Sequence, residues 1–378
     1  MKVLGKKRYP NGDKKYFFFG LPILSKKRSN SVSRTYLFGI RIIKRKFTPP
    51  PLSIVVKIQY ASISPELYDA AGKINFVSFG FLPSLLGISQ QQFDSDAKTM
   101  LNGLDKQSKE IFDCNLYRLV KANNLLVNGA RPINQKPNCA PWCIFYDETQ
   151  IKKFEKMHSM KATDMNGKYF ELNGYKLYKN TFEPSIFVDE YGLDGLKSKD
   201  RIIKEGLAIF DVGAYVGDSA LIFARHFSNN PIYAAEVLTG NFEEMKRNIA
   251  LNNAKNIVPI NVGFSDSTGY MDCAAFDAPG QLKCKMETLD NYVKENKIKV
   301  GLIKVDIEGA EQLFLKGALQ TIREQKPTLI LSIYHNYDDL MHILPMIDSL
   351  GLGYKFSLTD SNYGWFPVHE LTLNCEIE

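Results

Sequence analysis

Asp211-Val212-Gly213-Ala214-Tyr215-Val216-Gly217-Asp218 decides the fold of this 378-residue chain. The stretch closes an apolar run at 208–212 and passes directly into a helical pattern at 218–226. A strand-to-helix turn of this kind is where an open α/β sheet receives its ligand. Gly213 and Gly217 let the backbone approach a bound molecule with no Cβ in the way. Their spacing is not the G-x-G-x-x-G that a nicotinamide pyrophosphate needs.

Downstream, short apolar runs alternate with helical periods, the texture of parallel β units. Strands are expected at 208–212, 232–236, 257–262, 300–306, 328–334, 354–358 and 371–376, with helices at 218–226, 241–252, 310–323 and 337–350. Seven strands with helices between them predict a Rossmann-like, doubly wound α/β sheet.

Acids at the ends of these strands give the loop its context. Glu236 closes the second strand about twenty residues beyond the glycines, where a carboxylate can accept both ribose hydroxyls of a nucleoside. Asp266 follows the third strand, in Gly263-Phe264-Ser265-Asp266, within reach of an adenine amino group. Lys304-Val305-Asp306-Ile307-Glu308-Gly309-Ala310-Glu311 follows the fourth strand and opens a helix, at the mouth where a cofactor's reactive end would point. Asp306 and Glu308 there could orient a hydroxyl, hold an ammonium or share a divalent cation, and acids at a helix start also serve its dipole. The cofactor-binding set expected from these positions is Asp211, Gly213, Ala214, Gly217, Asp218, Glu236, Asp266 and Asp306.

Upstream, residues 51–200 carry no chemical motif and are expected to form a mixed α+β accessory region. Apolar residues at Met100, Leu101, Leu104, Ile111, Phe112, Leu119 and Val120 follow a helical period and predict one long or two shorter helices over 93–126. A further short helix is expected at 147–157, after a Pro and Asn rich loop at 132–141. Residues 169–178 alternate around Asn173-Gly174, a pair suited to the positive φ of a type I′ hairpin turn.

The first fifty residues form a separate segment. They hold fourteen Lys or Arg against one Asp, so they carry +13 while the remaining chain, within a total of +7, carries −6. The body is thus slightly acidic and has no nucleic-acid footprint. An internal repeat aligns Phe19-Gly20-Leu21 with Phe38-Gly39-Ile40, each copy reading as two short β stretches around a Gly with a basic end. Exposed, aromatics and cations at 14–46 suit peripheral contact with an anionic membrane; packed, they make a small β ribbon. The apolar stretch 16–24 is too short to span a bilayer, and Lys26-Lys27-Arg28 with no small-residue site argues against a secretory signal. Thr48-Pro49-Pro50-Pro51 reads as a stiff linker closing the segment. The expected organisation is therefore 1–50, 51–200 and 201–378, in a cytoplasmic protein that touches the inner membrane face.

Hydrophobic content of 44% with 24% charged residues supports packed cores. The six cysteines include no CxxC pair, and Cys139 and Cys143 have no second pair nearby, so reduced structural thiols are expected and no metal is assigned.

Asp211 to Ser219, Glu236, Asp266, the segment Lys304 to Glu311 and Lys326-Pro327 together resemble the FkbM family of methyltransferases, over 206–375. Tyr215 stands where that family commonly has Asn, and Val237 where Pro is common. The resemblance implies S-adenosyl-L-methionine as cofactor and methylation of a hydroxyl, often on a sugar or secondary metabolite. The N-terminal repeat resembles leader segments of bacterial surface-polysaccharide biosynthesis proteins, which suggests a glycan or other hydroxyl-bearing acceptor. His335, after the fifth strand, is expected to face Asp306 and serve as general base, its ordinary pKa of about 6.5 suiting that work. His335, Asp306 and Glu308 are the expected catalytic set; a shared divalent cation is the alternative for the same three. A cofactor-binding scaffold in glycan assembly is the competing function.

Overall fold

The basic repeat folds as paired strands. In the computed structural model, which describes residues 4–8, 14–18, 21–29, 32–37, 40–46, 88–127, 159–275, 278–361, 368 and 370–377, five strands form one antiparallel meander. They are β1 (Leu4–Arg8), β2 (Lys14–Phe18), β3 (Leu21–Ser29), β4 (Val32–Leu37) and β5 (Ile40–Lys46). β2 pairs with β3 and β4 with β5, so each copy of the repeat supplies one hairpin. The linker at 48–51, the loop at 132–141, the helix at 147–157 and Cys139 with Cys143 lie outside the described residues. The chain divides into two compact units: Met1–Phe76, Glu110–Ser159 and Tyr363–Val368 make one, and Val77–Lys109, Met160–Asn362 and His369–Glu378 the other.

The helical period over 93–126 resolves into two helices, α1 (Gln90–Gly103) and α2 (Lys106–Val127). Ser89 caps the first, its hydroxyl accepting from Gln92 N at 3.1 Å. A small sheet follows, β6 (Thr163–Asp164), β7 (Phe170–Leu172) and β8 (Tyr175–Leu177). Asn173 and Gly174 take φ of +52° and +82° between β7 and β8, the turn that the Asn-Gly pair predicts. Within the larger unit this hairpin is held by Asn252, which accepts from Lys176 N at 2.9 Å and donates to Lys176 O at 2.6 Å. Its Leu172, Tyr175 and Leu177 share a core with Ile186 and Phe187 of α3 (Pro184–Asp189) and with Ile209 and Phe223. A short 3-10 turn at Glu190–Gly195 and α4 (Lys199–Glu205) lead into the main sheet.

That sheet has seven strands. β9 (Ala208–Val212), β10 (Ile232–Ala235) and β11 (Ile257–Ile260) alternate with α5 (Asp218–His226) and α6 (Thr239–Leu251). A separate three-stranded sheet, β12 (Gly263–Phe264), β13 (Gly269–Ala275) and β14 (Ala278–Glu287), is then inserted before α7 (Leu289–Asn296). β15 (Val300–Val305), α8 (Glu311–Gly317), α9 (Leu319–Gln325), β16 (Thr328–Ser332), α10 (Tyr337–Asp348), β17 (Lys355–Asp360) and β18 (Leu371–Glu376) complete it.

The spatial order is β11-β10-β9-β15-β16-β18-β17. The first five are parallel, and β18 runs antiparallel between β16 and β17. β9, β15 and β16 are buried along their whole length, as strands covered on both faces must be, which explains their unbroken apolar runs. The chain order reverses at β9, which has β10 on one side and β15 on the other, so the crevice outside its C-terminal end is the topological switch point. On the far side, α1 packs on α10, where Phe93 lies 6.1 Å from the Tyr337 ring and Tyr337 OH donates to Asp96 at 2.9 Å. Among the described residues, no helix is long and apolar enough to cross a membrane.

Candidate functional site

Loop 213–217 leaves β9 at this switch point. Gly213 N and Ala214 N both donate to Ala235 O, at 3.0 and 2.9 Å, which ties the loop to the end of β10. Gly213 has φ +78°, and a Cβ on it would lie 1.8 Å from Asp306 O. Two backbone segments, after β9 and after β15, therefore touch at a point only glycine permits. Tyr215 holds φ +46°, uncommon for a bulky residue, and its N donates to Glu236 Oε2 at 3.0 Å. Gly217, at φ +87°, precedes α5 directly.

Beneath the loop lies a buried charge pair. Lys304 and Asp211 are register partners on β15 and β9, and their side chains meet at 3.1 Å with almost no exposure. Lys304 Nζ also donates to Gly213 O at 2.9 Å, and Ser219 Oγ donates to Asp211 Oδ2 at 2.7 Å. Burial works to lower the Lys304 pKa, but the charges of Asp211 and Asp306 and the hydrogen bond to Asp211 outweigh it, so the ammonium stays charged. Asp218 is also buried at the start of α5; desolvation raises its pKa to about 7 against the hydrogen bond from Ser219 N.

Glu236 follows β10 and is 7% exposed. Its two oxygens accept from Leu238 N at 2.7 Å and Tyr215 N at 3.0 Å. Burial raises its pKa, partly countered by those two bonds. Asp266 instead sits exposed after β12, accepting from the hydroxyls of its neighbours Ser265 and Ser267 at 3.4 and 3.2 Å. The loop, Asp211, Asp218, Glu236 and Asp306 are thus linked through short contacts, while the hydrogen bonds of Asp266 stay within its own turn.

The acids after β15 converge on His335. Asp306 Oδ1 lies 3.4 Å from His335 Nε2, Glu308 Oε2 3.6 Å from the same nitrogen, and Glu311 Oε1 3.0 Å from Nδ1. Glu308, at φ +58°, keeps a largely exposed side chain, whereas Glu311 and His335 are buried. Burial alone would lower the His335 pKa, but contact with Glu311 and the charges of Glu311, Asp306 and Glu308 raise it to about 10. The imidazole therefore carries a proton at neutral pH as the site stands, the opposite of the free ring that a general base requires. Tyr334 OH donates to Glu370 Oε1 at 3.2 Å and lies 3.5 Å from Asp306 Oδ1. Desolvation and the Asp306 charge push Glu370 up to about 8, and desolvation and the Glu311 charge push Asp339 up to about 7.

Glu311, Tyr334, Asp339 and Glu370 have no role in the sequence reading. Glu311 stands inside the quoted segment and Tyr334 beside His335, so proximity to the motif was their only signal; Asp339 and Glu370 belong to no motif.

A seven-stranded sheet whose switch point carries a glycine loop, an acid after β10 and acids after β15 belongs to the Rossmann-like α/β class. Residues 211–356 match the model of the methyltransferase FkbM domain. Among solved structures, methyltransferase FkbM from Methylobacillus flagellatus KT is 19% identical, with a TM-score of 0.43 over 75% of this chain and 58% of its own. The present chain thus spans little more than half of that protein's length. Precorrin-6y C5,15-methyltransferase from Geobacter metallireducens GS-15 is 11% identical, with a TM-score of 0.31 over 47% of this chain and 85% of its own. SAH-bound methyltransferase PaMTH1 from Podospora anserina is 12% identical, with a TM-score of 0.30 over 61% and 88%. No curated protein matches the chain.

Proposed function

We propose that the protein is an S-adenosyl-L-methionine-dependent O-methyltransferase acting on a sugar hydroxyl in surface polysaccharide or glycolipid biosynthesis. The observation that carries the cofactor reading is the contact chain Asp306–Gly213–Tyr215–Glu236: it joins a Cβ-free cradle to a nearly buried carboxylate. The residues fit the group. A carboxylate offers about four lone-pair sites, and the two backbone donors and the Asn241 side chain on Glu236 leave acceptor capacity for a ribose hydroxyl. Gly213, Ala214 and Gly217 give close backbone approach, Asp266 is assigned to the adenine amino group, and Asp211 and Asp218 support the loop and helix from below.

When bound, the cofactor supplies an electrophilic methyl group on a sulfonium. The protein's work is to align the acceptor oxygen in line with that methyl and to take up its proton. Asp306 and Glu308 are assigned to that alignment and proton uptake, and His335, protonated between them, to holding the two carboxylates in place. Peripheral contact of the basic 14–46 segment with an anionic membrane would bring the enzyme to a lipid-linked acceptor.

Calorimetric titration should show S-adenosyl-L-methionine binding and no comparable binding of NAD; binding of NAD alone would refute the cofactor assignment. Glu236→Ala should weaken S-adenosyl-L-methionine binding by about 1–3 kcal/mol, the value of charge-assisted hydrogen bonds lost. Unchanged affinity would remove the ribose role. For the acceptor, mass spectrometry of surface glycans from cells lacking the protein should show loss of about 14 mass units per modified residue, the net CH₂ gained when a methyl replaces a hydroxyl hydrogen. Cofactor binding with no change in any glycan would favour a scaffold over an enzyme.

A further inference from the structure

We propose that Asp306, Glu311 and His335 bind one divalent first-row transition cation, of the manganese(II) or zinc(II) kind, at the acceptor side of the site. That the ion would sit beside an acceptor rests on the methyltransfer reading; its binding does not.

Two neighbouring parallel strands deliver the three residues. Asp306 follows β15 directly, Glu311 opens α8 one turn later, and His335 stands three residues beyond β16. One donor atom from each lies within 4.8 Å of the other two. A cation with bonds of about 2.0–2.2 Å would draw such donors to separations of roughly 3–4 Å, a modest side-chain adjustment.

Two features of this pair point to a ligand. Glu311 is fully buried, and its Oε2 has no hydrogen-bond partner; Oε1 accepts from Ile307 N at 2.9 Å. His335 is nine-tenths buried or more, and neither ring nitrogen makes a well-directed hydrogen bond, although carboxylate oxygens lie 3.0–3.6 Å away. Buried polar atoms left in this state are costly unless something else satisfies them. Charge points the same way. Asp306, Glu308 and Glu311 surround a single imidazole, and Lys304, the buried cation nearby, is already engaged by Asp211.

The donor set selects the ion. Calcium takes six to eight oxygens and magnesium an octahedron of oxygens and waters, whereas two carboxylates with an imidazole suit manganese, iron or zinc. Glu308, exposed at the rim and 3.6 Å from Nε2, is placed to complete the shell or guide entry. A hydroxyl on an open coordination position would lose its proton more readily, which would relieve the protein side chains of that task.

Full-length protein stripped with a chelator and titrated with manganese(II) chloride should bind one equivalent, read by electron paramagnetic resonance. Affinity for calcium should be at least ten-fold weaker, and His335→Gln or Glu311→Gln should weaken manganese binding at least ten-fold while circular dichroism reports an intact fold. If either variant fails to fold, pulsed detection of nitrogen-14 coupling to manganese in the wild-type protein decides the matter, because only an imidazole ligand supplies it. Absence of stoichiometric binding, bound manganese without that coupling, or undiminished binding in folded variants would each overturn the site. S-adenosyl-L-methionine titrated into the same metal-free sample keeps the two ideas apart: cofactor binding without manganese binding sinks only the metal site, and the reverse sinks only the methyltransfer reading.

Discussion

Gly213→Ala is expected to destabilise the larger unit by about 2–5 kcal/mol and to abolish measurable cofactor binding in whatever fraction remains folded. Two costs add. An L-residue at φ +78° pays about 1–2 kcal/mol for the left-handed backbone. The new methyl would also sit 1.8 Å from Asp306 O, and forcing extra volume into a packed position costs about 1–3 kcal/mol. The obstacle is backbone, so no side-chain rotation relieves it; β9 and β15 must part at their C-terminal ends, where the site lies. Gly206→Ala provides the comparison, since Gly206 has φ +64° with nothing within 4 Å and should pay the backbone cost alone. Urea denaturation of the two variants checks the argument. Equal losses would mean that the close approach to Asp306 is not what reserves position 213 for glycine.

The same contact shows what could be read from sequence. Gly213 was legible as a position needing close approach, because a strand-to-helix turn leaves few other uses for glycine there. Its partner, the carbonyl of Asp306, depends on sheet order, which local pattern does not encode. Strands at Ala208–Val212 and Leu371–Glu376 and helix Asp218–His226 have the expected bounds, since abrupt changes in period mark their ends. The helix expected over 310–323 instead breaks into α8 and α9 at Gly317-Ala318, and a Cβ on Gly317 would meet Ser265 O at 1.9 Å. Tertiary packing has overridden a continuous helical period.

The inserted sheet β12–β14 was not anticipated. Its strands mix Lys, Asp, Cys and Gly without clean alternation, and the β13 and β14 pairing slips register between Ala274 and Ala275. The strand expected at 328–334 ends at Ser332, which leaves Tyr334 and His335 on the turn beyond it rather than in the ladder. That displacement lets both side chains reach Asp306. The acids expected at the site were legible because they end strands; the buried partners Glu311 and Glu370 were not, because a carboxylate in sequence gives no sign of its burial.

Lys304→Met should cost about 3–5 kcal/mol, the penalty for leaving a buried carboxylate without its counter-charge. Methionine matches the length and apolar stem of lysine, so packing loss is small and the effect isolates the charge. Asp211 would retain only the Ser219 hydroxyl among its described side-chain partners, and Gly213 O would lose its donor. The fault therefore spreads to the loop as well as to the strand pair. Lys304→Met combined with Asp211→Asn should recover a substantial part of the loss, because replacing both members removes the stranded charge, and the two residues are close enough for strong non-additivity. Equilibrium unfolding of the two single variants and the double variant forms the required cycle. A single-variant cost below about 1 kcal/mol, the range of an exposed ion pair, would mean that water reaches Asp211 and that the loop is not held from beneath by this pair.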